Sequence, residues 1–300
     1  MTKKLGYSSV LTISGLAGLL VAILIYETHQ KATHTEEQAA NAYVGLGLAL
    51  EQEGKTREAV DSFKKGIDLD PQSAPAHHSL ASELAVLGKR DEAIVEFKKA
   101  IDADPQFYKS YIGLGAVVQA EGHLDEAMAL YQKAADLDHL DASDATLYVD
   151  WGAALDEKGK FDEAITKYQK SLQLDAHDGA AYSNWGYTLL EQGKVDAAIT
   201  QFQRALDVDP DLANAAFLLG CASAKQGRLD DAITQYKRAI QIDPHLVKAY
   251  RGWAEVLDKQ GKHGEAAAKR GAADKIWAES QIDTGRLRLR WRPKLGNSTF

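Results

Sequence analysis

The chain has 300 residues and a formal net charge of -8, with 45% hydrophobic and 26% charged residues. This balance is typical of a folded protein, so composition excludes a chain that is disordered throughout. The acidic net charge argues against a general nucleic-acid binder. The single cysteine, Cys221, excludes an internal disulfide framework and a cysteine-built metal site.

The first predicted element is an apolar segment, 5–26, which carries no formal charge. As a helix it would extend roughly 33 Å, enough to cross a hydrocarbon core of roughly 30 Å. A cleaved signal peptide is the alternative, but the residues after Tyr26 contain no small-residue cleavage site. We therefore expect a transmembrane anchor at 5–26, between a short basic tail at 1–4 and a linker at 27–39.

Basic residues beside this segment predict its orientation. Lys3, Lys4 and the terminal amine precede it, whereas only Lys31 follows it closely. The flank with more cations usually stays in the cytoplasm. We therefore expect a cytoplasmic N-terminus and place the rest of the chain on the periplasmic or luminal side. The reverse orientation, with the rest of the chain in the cytoplasm, stays open.

A repeat organises the remainder of the chain. Glycines recur at spacings of 34, 34, 37, 34, 34 and 34 residues. One insertion of three residues near Ala142 to Asp144 explains the single departure from the period. Such a period is the signature of a repeat architecture. We call these residues the turn glycines: Gly54, Gly88, Gly122, Gly159, Gly193, Gly227 and Gly261.

Residues at fixed distances from each turn glycine predict two helices per repeat. A leucine or tryptophan stands eight residues before it and glycine or alanine stands seven before it. Alanine stands five residues after it, and an aromatic residue stands nine after it in six repeats, with Arg270 in the seventh. These spacings place one apolar face on each helix. We expect the glycine to end the first helix and proline to stop the second. The prolines in question are Pro71, Pro105, Pro210 and Pro244.

This pattern resembles the tetratricopeptide (TPR) repeat, in its period and in its sequence W/L-G, A, F, A, P. The resemblance implies an all-α, right-handed superhelix of about seven helix-turn-helix repeats with a concave groove, preceded here by one transmembrane helix. Arg270 and Ala278 depart from the pattern, which suits a polar end cap. The last helix should reach about Gln281. The predicted repeats are 40–73, 74–107, 108–141, 145–178, 179–212, 213–246 and 247–280, followed by a basic tail at 281–300.

No motif in the sequence predicts catalysis, a cofactor, a metal site or a small-molecule substrate. P-loop, dinucleotide-binding, nucleophile-elbow and zinc-protease signatures are all missing from the sequence. We expect the histidines to be solvated, including the adjacent His77 and His78, which a helix would point about 100° apart. Asp138, His139, Asp141 and Asp144 could hold a hard cation. A solvated loop in which Ser143 or Asp144 caps the next helix is the preferred interpretation.

In TPR proteins the groove binds ligands, mostly through residues ten, six and three before the turn glycine. The lysine and asparagine with which chaperone-binding members hold a terminal carboxylate do not occur at these positions here. The groove positions instead carry an apolar strip with acidic edges, so the expected partner is an amphipathic, basic protein or peptide. Some of these apolar residues could serve only to pack the superhelix. Cys221 is expected to be a small apolar filler. The predicted apolar strip is Val44, Leu48, Ile112, Val149, Tyr187 and Phe217, with acidic edges at Glu51, Asp156, Glu157, Glu191 and Asp258.

The C-terminal tail alternates cations with apolar residues, a period typical of an extended strand. It could contact anionic lipid, an acidic groove in its own or a neighbouring chain, or nucleic acid. It could also be a disordered, solubilising segment. The predicted contact residues are Arg286, Arg288, Arg290, Trp291 and Arg292.

Together these patterns predict a membrane-anchored TPR scaffold or adaptor without enzymatic activity. It would bind partner proteins or peptides and support the assembly or regulation of a membrane-associated complex. One alternative is a self-assembling, coat-like TPR protein. Another is an enzyme whose site the sequence does not reveal.

Overall fold

The computed structural model describes residues 35–137 and 141–283, all of whose regular structure is helical. The predicted anchor at 5–26 and the predicted tail contacts lie outside these residues. Within the described ranges, no helix combines the length and the hydrophobicity that a membrane crossing requires. The helices are α1 (35–52), α2 (Thr56–Leu69), α3 (Ala74–Val86), α4 (Arg90–Ala103), α5 (Tyr108–Ala120), α6 (Leu124–Asp136), α7 (Ala145–Glu157), α8 (Phe161–Leu174), α9 (Gly179–Glu191), α10 (Val195–Val208), α11 (Ala213–Lys225), α12 (Leu229–Ile242), α13 (Val247–Lys259) and α14 (His263–Asp283).

The chain divides into two compact units, one ending at Pro105 and the other beginning at Gln106. Unit 1 contains α1 to α4 and unit 2 contains α5 to α14. In both, the two helices of a repeat pack against each other, and each second helix packs against the first helix of the next repeat in its unit. The predicted helix-turn-helix architecture is therefore confirmed, with about seven helix pairs.

The first helices form the inner layer of unit 2. Each of α5, α7, α9 and α11 contacts the next first helix along the chain. In the described part of this unit, the backbones of successive second helices lie farther apart than those of successive first helices. Unit 2 therefore curves with its first helices on the inner side, which is where the predicted groove residues of this unit are carried.

The turn within each repeat confirms the predicted role of glycine. All seven turn glycines have φ between +72° and +86°, the left-handed region that L side chains rarely adopt. In the fourth repeat the Gly159 amide donates to the Asp156 carbonyl at 2.8 Å, and the Lys160 amide donates to the Leu155 carbonyl at 2.9 Å. These two bonds satisfy carbonyls at the end of the first helix.

Proline is not required to stop the second helix, which corrects the prediction. Helix α8 ends at Leu174 although Ala176 stands where other repeats have proline. The shared feature is an aspartate just after the helix. Asp175 Oδ1 accepts a bond from the His177 amide at 2.9 Å, and Asp209 and Asp243 make the equivalent bond in later repeats. The aspartate side chain forms the turn, and proline reinforces it.

The two helices of a repeat meet where an aromatic ring lies against a residue without a bulky side chain. A Cβ atom added to Gly152 would lie 2.5 Å from Cε1 of Tyr168, and Gly115, Gly186 and Gly220 face their aromatic partners in the same way. The Tyr168 ring is fully buried. This close approach explains why the position seven before each turn glycine is always glycine or alanine.

The positions predicted for the insertion and for the end of the last helix agree closely with the structure. The three inserted residues form a short 3-10 turn at Ala142–Asp144, so the insertion leaves the helices on either side intact. Helix α14 continues through the exposed Trp277 to Asp283, two residues beyond the predicted end.

A matched pair of glycine substitutions tests the contact between Gly152 and the Tyr168 ring. Gly152→Ala should destabilise the protein by about 1–3 kcal/mol, because the new methyl group displaces the Tyr168 ring. Gly271→Ala should stabilise it by about 0.5–1 kcal/mol, because Gly271 lies inside α14 with open space around it. Guanidinium denaturation followed by circular dichroism measures both changes. Equal effects of the two substitutions would contradict the proposed contact.

Candidate functional site

The predicted apolar strip lies on first helices but is divided between the two units. Val44 and Leu48 lie on α1 in unit 1, and Leu48 is 43% exposed. The other four residues belong to unit 2 and lie on successive first helices. Three of them are half-buried, and Val149 is 9% exposed. These four are Ile112 on α5, Val149 on α7, Tyr187 on α9 and Phe217 on α11.

Two of these residues also hold the unit together. The Phe217 ring lies 6.0 Å from that of Tyr236, and Phe217 packs against two clusters of core residues. Tyr187 packs against one of those clusters. Replacing Phe217 would therefore change stability as well as any binding, so Tyr187 and its polar neighbours are better positions for testing the site.

Asp156 lies at the centre of a hydrogen-bond network between α7, α8 and α9. Its Oδ2 atom accepts bonds from the Tyr168 and Thr188 hydroxyl groups, each at 2.6 Å. Its Oδ1 atom is buried and has no hydrogen-bond partner in the described structure, and the same holds for Oε1 of Glu191. Burial raises the pKa of Asp156 to about 6, with a smaller contribution from the charge of Glu191. Two nearby carboxylates therefore each keep an acceptor oxygen without a donor.

The carboxylate of Asp258, another predicted acidic groove residue, is already paired with side chains of its own repeat. It lies 2.9 Å from His263 Nδ1 and also accepts a bond from the Arg270 guanidinium group. These two bonds, from His263 first and then from Arg270, hold the pKa of Asp258 below its usual range. Arg270 replaces the aromatic residue of the other repeats, and its bond to Asp258 corresponds in position to that between Tyr168 and Asp156. Asp258 is therefore part of the end cap.

The surroundings of Cys221 favour the protonated thiol. Burial raises its pKa to about 11, and the Tyr236 hydroxyl group donates to its Sγ atom at 3.6 Å. A thiolate is the nucleophilic form of cysteine, so little of it would be present near neutral pH. This agrees with the expectation that Cys221 is a small filler.

The prediction of solvated histidines is wrong for His77. This side chain is only 4% exposed, with Nδ1 2.6 Å from Glu96 Oε2 and Nε2 3.1 Å from the Pro71 carbonyl oxygen. Burial alone would raise the pKa of Glu96, but bonds from Lys99 and His77 outweigh it and lower that pKa. His77 thus ties α3 to α4 and to the turn before α3. The neighbouring His78 packs its ring against that of Phe97.

The predicted cap at the insertion also needs correction. Asp144 precedes α7, but its side chain makes no capping bond to that helix. Its Oδ2 atom instead accepts bonds from the Tyr108 hydroxyl group at 2.9 Å and from the Asp141 amide at 3.0 Å. Asp138 and His139, the other candidate cation ligands, lie outside the described residues. The residues that are described contain no cluster of three or more side chains able to ligate a metal ion.

Sequence reasoning missed a ladder of polar contacts that joins neighbouring repeats in unit 2. The residue before each turn glycine donates to the aspartate three residues after the preceding turn glycine. Gln192 donates to Asp162 at 3.0 Å, and Gln260 donates to Asp230 at 2.9 Å. The periodic recurrence of these aspartates could have revealed it. The remaining contacts of the ladder are Lys158 to Asp125 and Gln226 to Asp196.

Comparison with known families agrees with this architecture. Models described as tetratricopeptide repeat match residues 40–73, 78–145 and 183–246, and one described as TPR repeat matches 152–193. Together they span more than half of the chain, which therefore belongs to the TPR repeat family. A comparison with curated protein sequences finds no significant match.

Solved structures share this fold at low sequence identity. A chain of the APC/C hetero-tetramer Cut9–Hcn1 is 23% identical with a TM-score of 0.66, over 75% of this chain and 44% of that one. PilF of Pseudomonas aeruginosa is 21% identical with a TM-score of 0.64, over 74% and 99% of the two chains. YrrB, described as a TPR protein with an unusual peptide-binding site, is 24% identical with a TM-score of 0.49, over 63% and 96%.

Asp156 gives a prediction for the pH dependence of stability. Its folded pKa of about 6 lies above the usual value of 3.8, so between these values the native protein holds a proton that the unfolded chain has lost. The stability that this group contributes therefore falls as the pH rises from about 4 to about 6. Asparagine cannot ionise, so Asp156→Asn should be more stable than the wild type above pH 6, on the order of 1–2 kcal/mol.

Denaturation midpoints at pH 4 and pH 7.5 measure this difference. The advantage of Asp156→Asn should disappear at the lower pH. Asp207→Asn, which changes an exposed carboxylate on α10, controls for the loss of one negative charge. An advantage that persists unchanged at pH 4 would contradict the role of ionisation.

Proposed function

We propose that this protein is a scaffold or adaptor that binds a basic, amphipathic protein segment on the inner side of unit 2. Membership of the TPR family supports a binding function without catalysis. The site itself is proposed from the geometry of α7 and α9.

The observation that carries this proposal is the pair of incomplete carboxylates on neighbouring first helices. Val149 and Asp156 are seven residues apart on α7, and Tyr187 and Glu191 are four apart on α9, so each pair shares a helix face. The two helices contact each other, and the Thr188 hydroxyl group of α9 donates to Asp156. The partly exposed carboxyl groups of Asp156 and Glu191 thus lie on the same helix faces as apolar residues. A lysine or arginine flanked by apolar residues would complement both features.

A peptide with the sequence of residues 284–300 is a suitable probe, because it alternates arginine with leucine and tryptophan. Fluorescence anisotropy with the full-length protein should show saturable binding that strengthens as the pH rises through about 6, because Asp156 then ionises. Glu191→Lys should weaken binding at least tenfold. Glu163→Lys makes the same charge change on the exposed side of α8 and should have little effect.

Equal weakening by both charge reversals would mean that the peptide responds only to net charge, and the site proposal would fail. A peptide with its arginines replaced by glutamate should not bind. The same titrations test whether the tail itself occupies the site, through Arg286, Arg288, Arg290, Trp291 and Arg292. Truncation after Gly285 should then increase affinity for the free peptide.

The second part of the proposal is that residues 5–26 anchor the protein in a membrane. The apolar length of this segment supports it, and the basic residues Lys3 and Lys4 support a cytoplasmic N-terminus. The TPR repeats would then lie on the periplasmic or luminal side and hold partner proteins near that membrane, in support of the assembly or regulation of a complex.

Protease treatment of intact cells or sealed vesicles tests the orientation. A C-terminal tag should be digested where the protease has access only to the periplasmic or luminal face of the membrane. Protection until detergent is added would place the repeats in the cytoplasm. Release of the tagged protein from membranes by alkaline carbonate, without detergent, would contradict the anchor.

A further inference from the structure

We infer that the outer face of α1 is an interface for a second copy of this chain, with α1 packed against α1. This inference concerns unit 1 and is independent of the groove proposed in unit 2.

Three positions that are buried in later repeats are exposed in the first. They lie twelve, eight and five residues before the turn glycine, and on α1 they carry Ala42, Leu46 and Ala49, all of them exposed, with Leu46 at 49%. In the second repeat, which has a preceding repeat within its own unit, the equivalent residues are at most 4% exposed. In the last four repeats these positions are likewise buried or half-buried. The second-repeat equivalents are Ala76, Leu80 and Glu83.

The later repeats show what normally covers this face. Trp253 on α13 and Ile233 of the preceding second helix pack against one cluster of core residues, and Lys237 of that helix lies over the Trp253 ring at 5.3 Å. Trp185 and Ile165 belong to one cluster in the same way. In the part of the chain that the structure describes, no helix precedes α1. The first repeat therefore carries a stacking face of apolar residues, whereas a terminal repeat normally needs a polar outer face.

Residues 36–39 are helical in α1, whereas the equivalent residues of the second repeat, 70–73, form a turn. Every later first helix begins fourteen residues before its turn glycine, and α7 follows the 3-10 turn of the insertion while the others follow an aspartate turn. Helix α1 is already helical at residue 35, five residues earlier than that register. The turn that would bring a preceding helix alongside is thus replaced by continuous helix.

The last helix of a second copy, α14, would not cover the outer face of α1. Helix α14 carries Ala267, Arg270 and Asp274 at the positions where α12 has Ile233, Tyr236 and Ile240 to cover the next repeat. All three α14 residues are exposed. Head-to-tail stacking would bury Leu46 against an arginine and a carboxylate, which disfavours an open, coat-like array.

The outer face of α1 is, by contrast, complementary to itself. Ala42, Leu46 and Ala49 follow the four-three spacing with which paired helices meet along a seam, and the two alanines allow a close approach. Glu53, at the end of the seam, lies 2.6 Å from its own Lys55, which offsets its charge. Two copies related by a two-fold axis would bury identical faces. One pair of helices makes an interface below the roughly 1,200 Å² of stable complexes, so we expect a weak, concentration-dependent dimer.

Cysteine cross-linking of the full-length protein tests the interface in a Cys221→Ser background. Leu46→Cys should give a dimer with a short bis-maleimide, at least tenfold more than Leu48→Cys. Leu48 is a matched control because it is similarly exposed and lies about 200° around the same helix. Both cysteines should react equally with a monofunctional maleimide. Equal cross-linking at the two positions would overturn the proposal.

Sedimentation velocity of the full-length protein provides a second measurement. Leu46→Glu should weaken dimerisation at least tenfold, whereas Val95→Glu, at an equally exposed residue on α4, should not. A wild-type protein that stays monomeric at all accessible concentrations would also overturn the proposal. Glu191→Lys should leave dimerisation unchanged, so failure of the groove proposal and failure of the dimer proposal can be distinguished.

Discussion

The structure depends on the contact between an aromatic ring on six of the seven second helices and a glycine or alanine on the first helix of the same repeat. Tyr168 against Gly152 shows the geometry: the ring occupies the space that a Cβ atom would fill. Burial of a large apolar surface favours the contact, and the small residue sets the distance between the helices. The turn glycine then needs only to reverse the chain within the distance that this packing defines.

In some repeats the residue at the aromatic position also makes a hydrogen bond to the first helix. The Tyr168 hydroxyl group reaches Asp156 on the inner side, where a phenylalanine such as Phe202 would supply no donor. In the last repeat Arg270 takes the ring position and pairs with Asp258, which converts a packing position into part of a polar cap. The residue nine positions after the turn glycine thus differs between the repeat that carries the candidate site, where it is Tyr168, and the last repeat, where it is Arg270.

The two ends of the described chain are unequal for the same reason. Repeats stack because each first helix presents apolar residues to the helix before it. On α14 the outward positions are polar, whereas on α1 Leu46 retains the residue type of a buried position without a helix over it. This asymmetry favours a closed pair of molecules over an extended array, because among the described residues only the α1 end of the repeats offers an apolar face.

The sequence by itself determined the helices, their turns and the TPR family, because the same pattern of residues recurs in seven repeats and each repeat supports the interpretation of the others. It also placed Tyr187, Glu191 and Asp156 on first helices. Only the tertiary structure decided which of these groups are available, because that depends on neighbours distant in sequence. Asp258 is paired by Arg270 and His77 is buried against Glu96, whereas Asp156 keeps one unpartnered oxygen. Such pairings arise from packing, which periodicity does not encode.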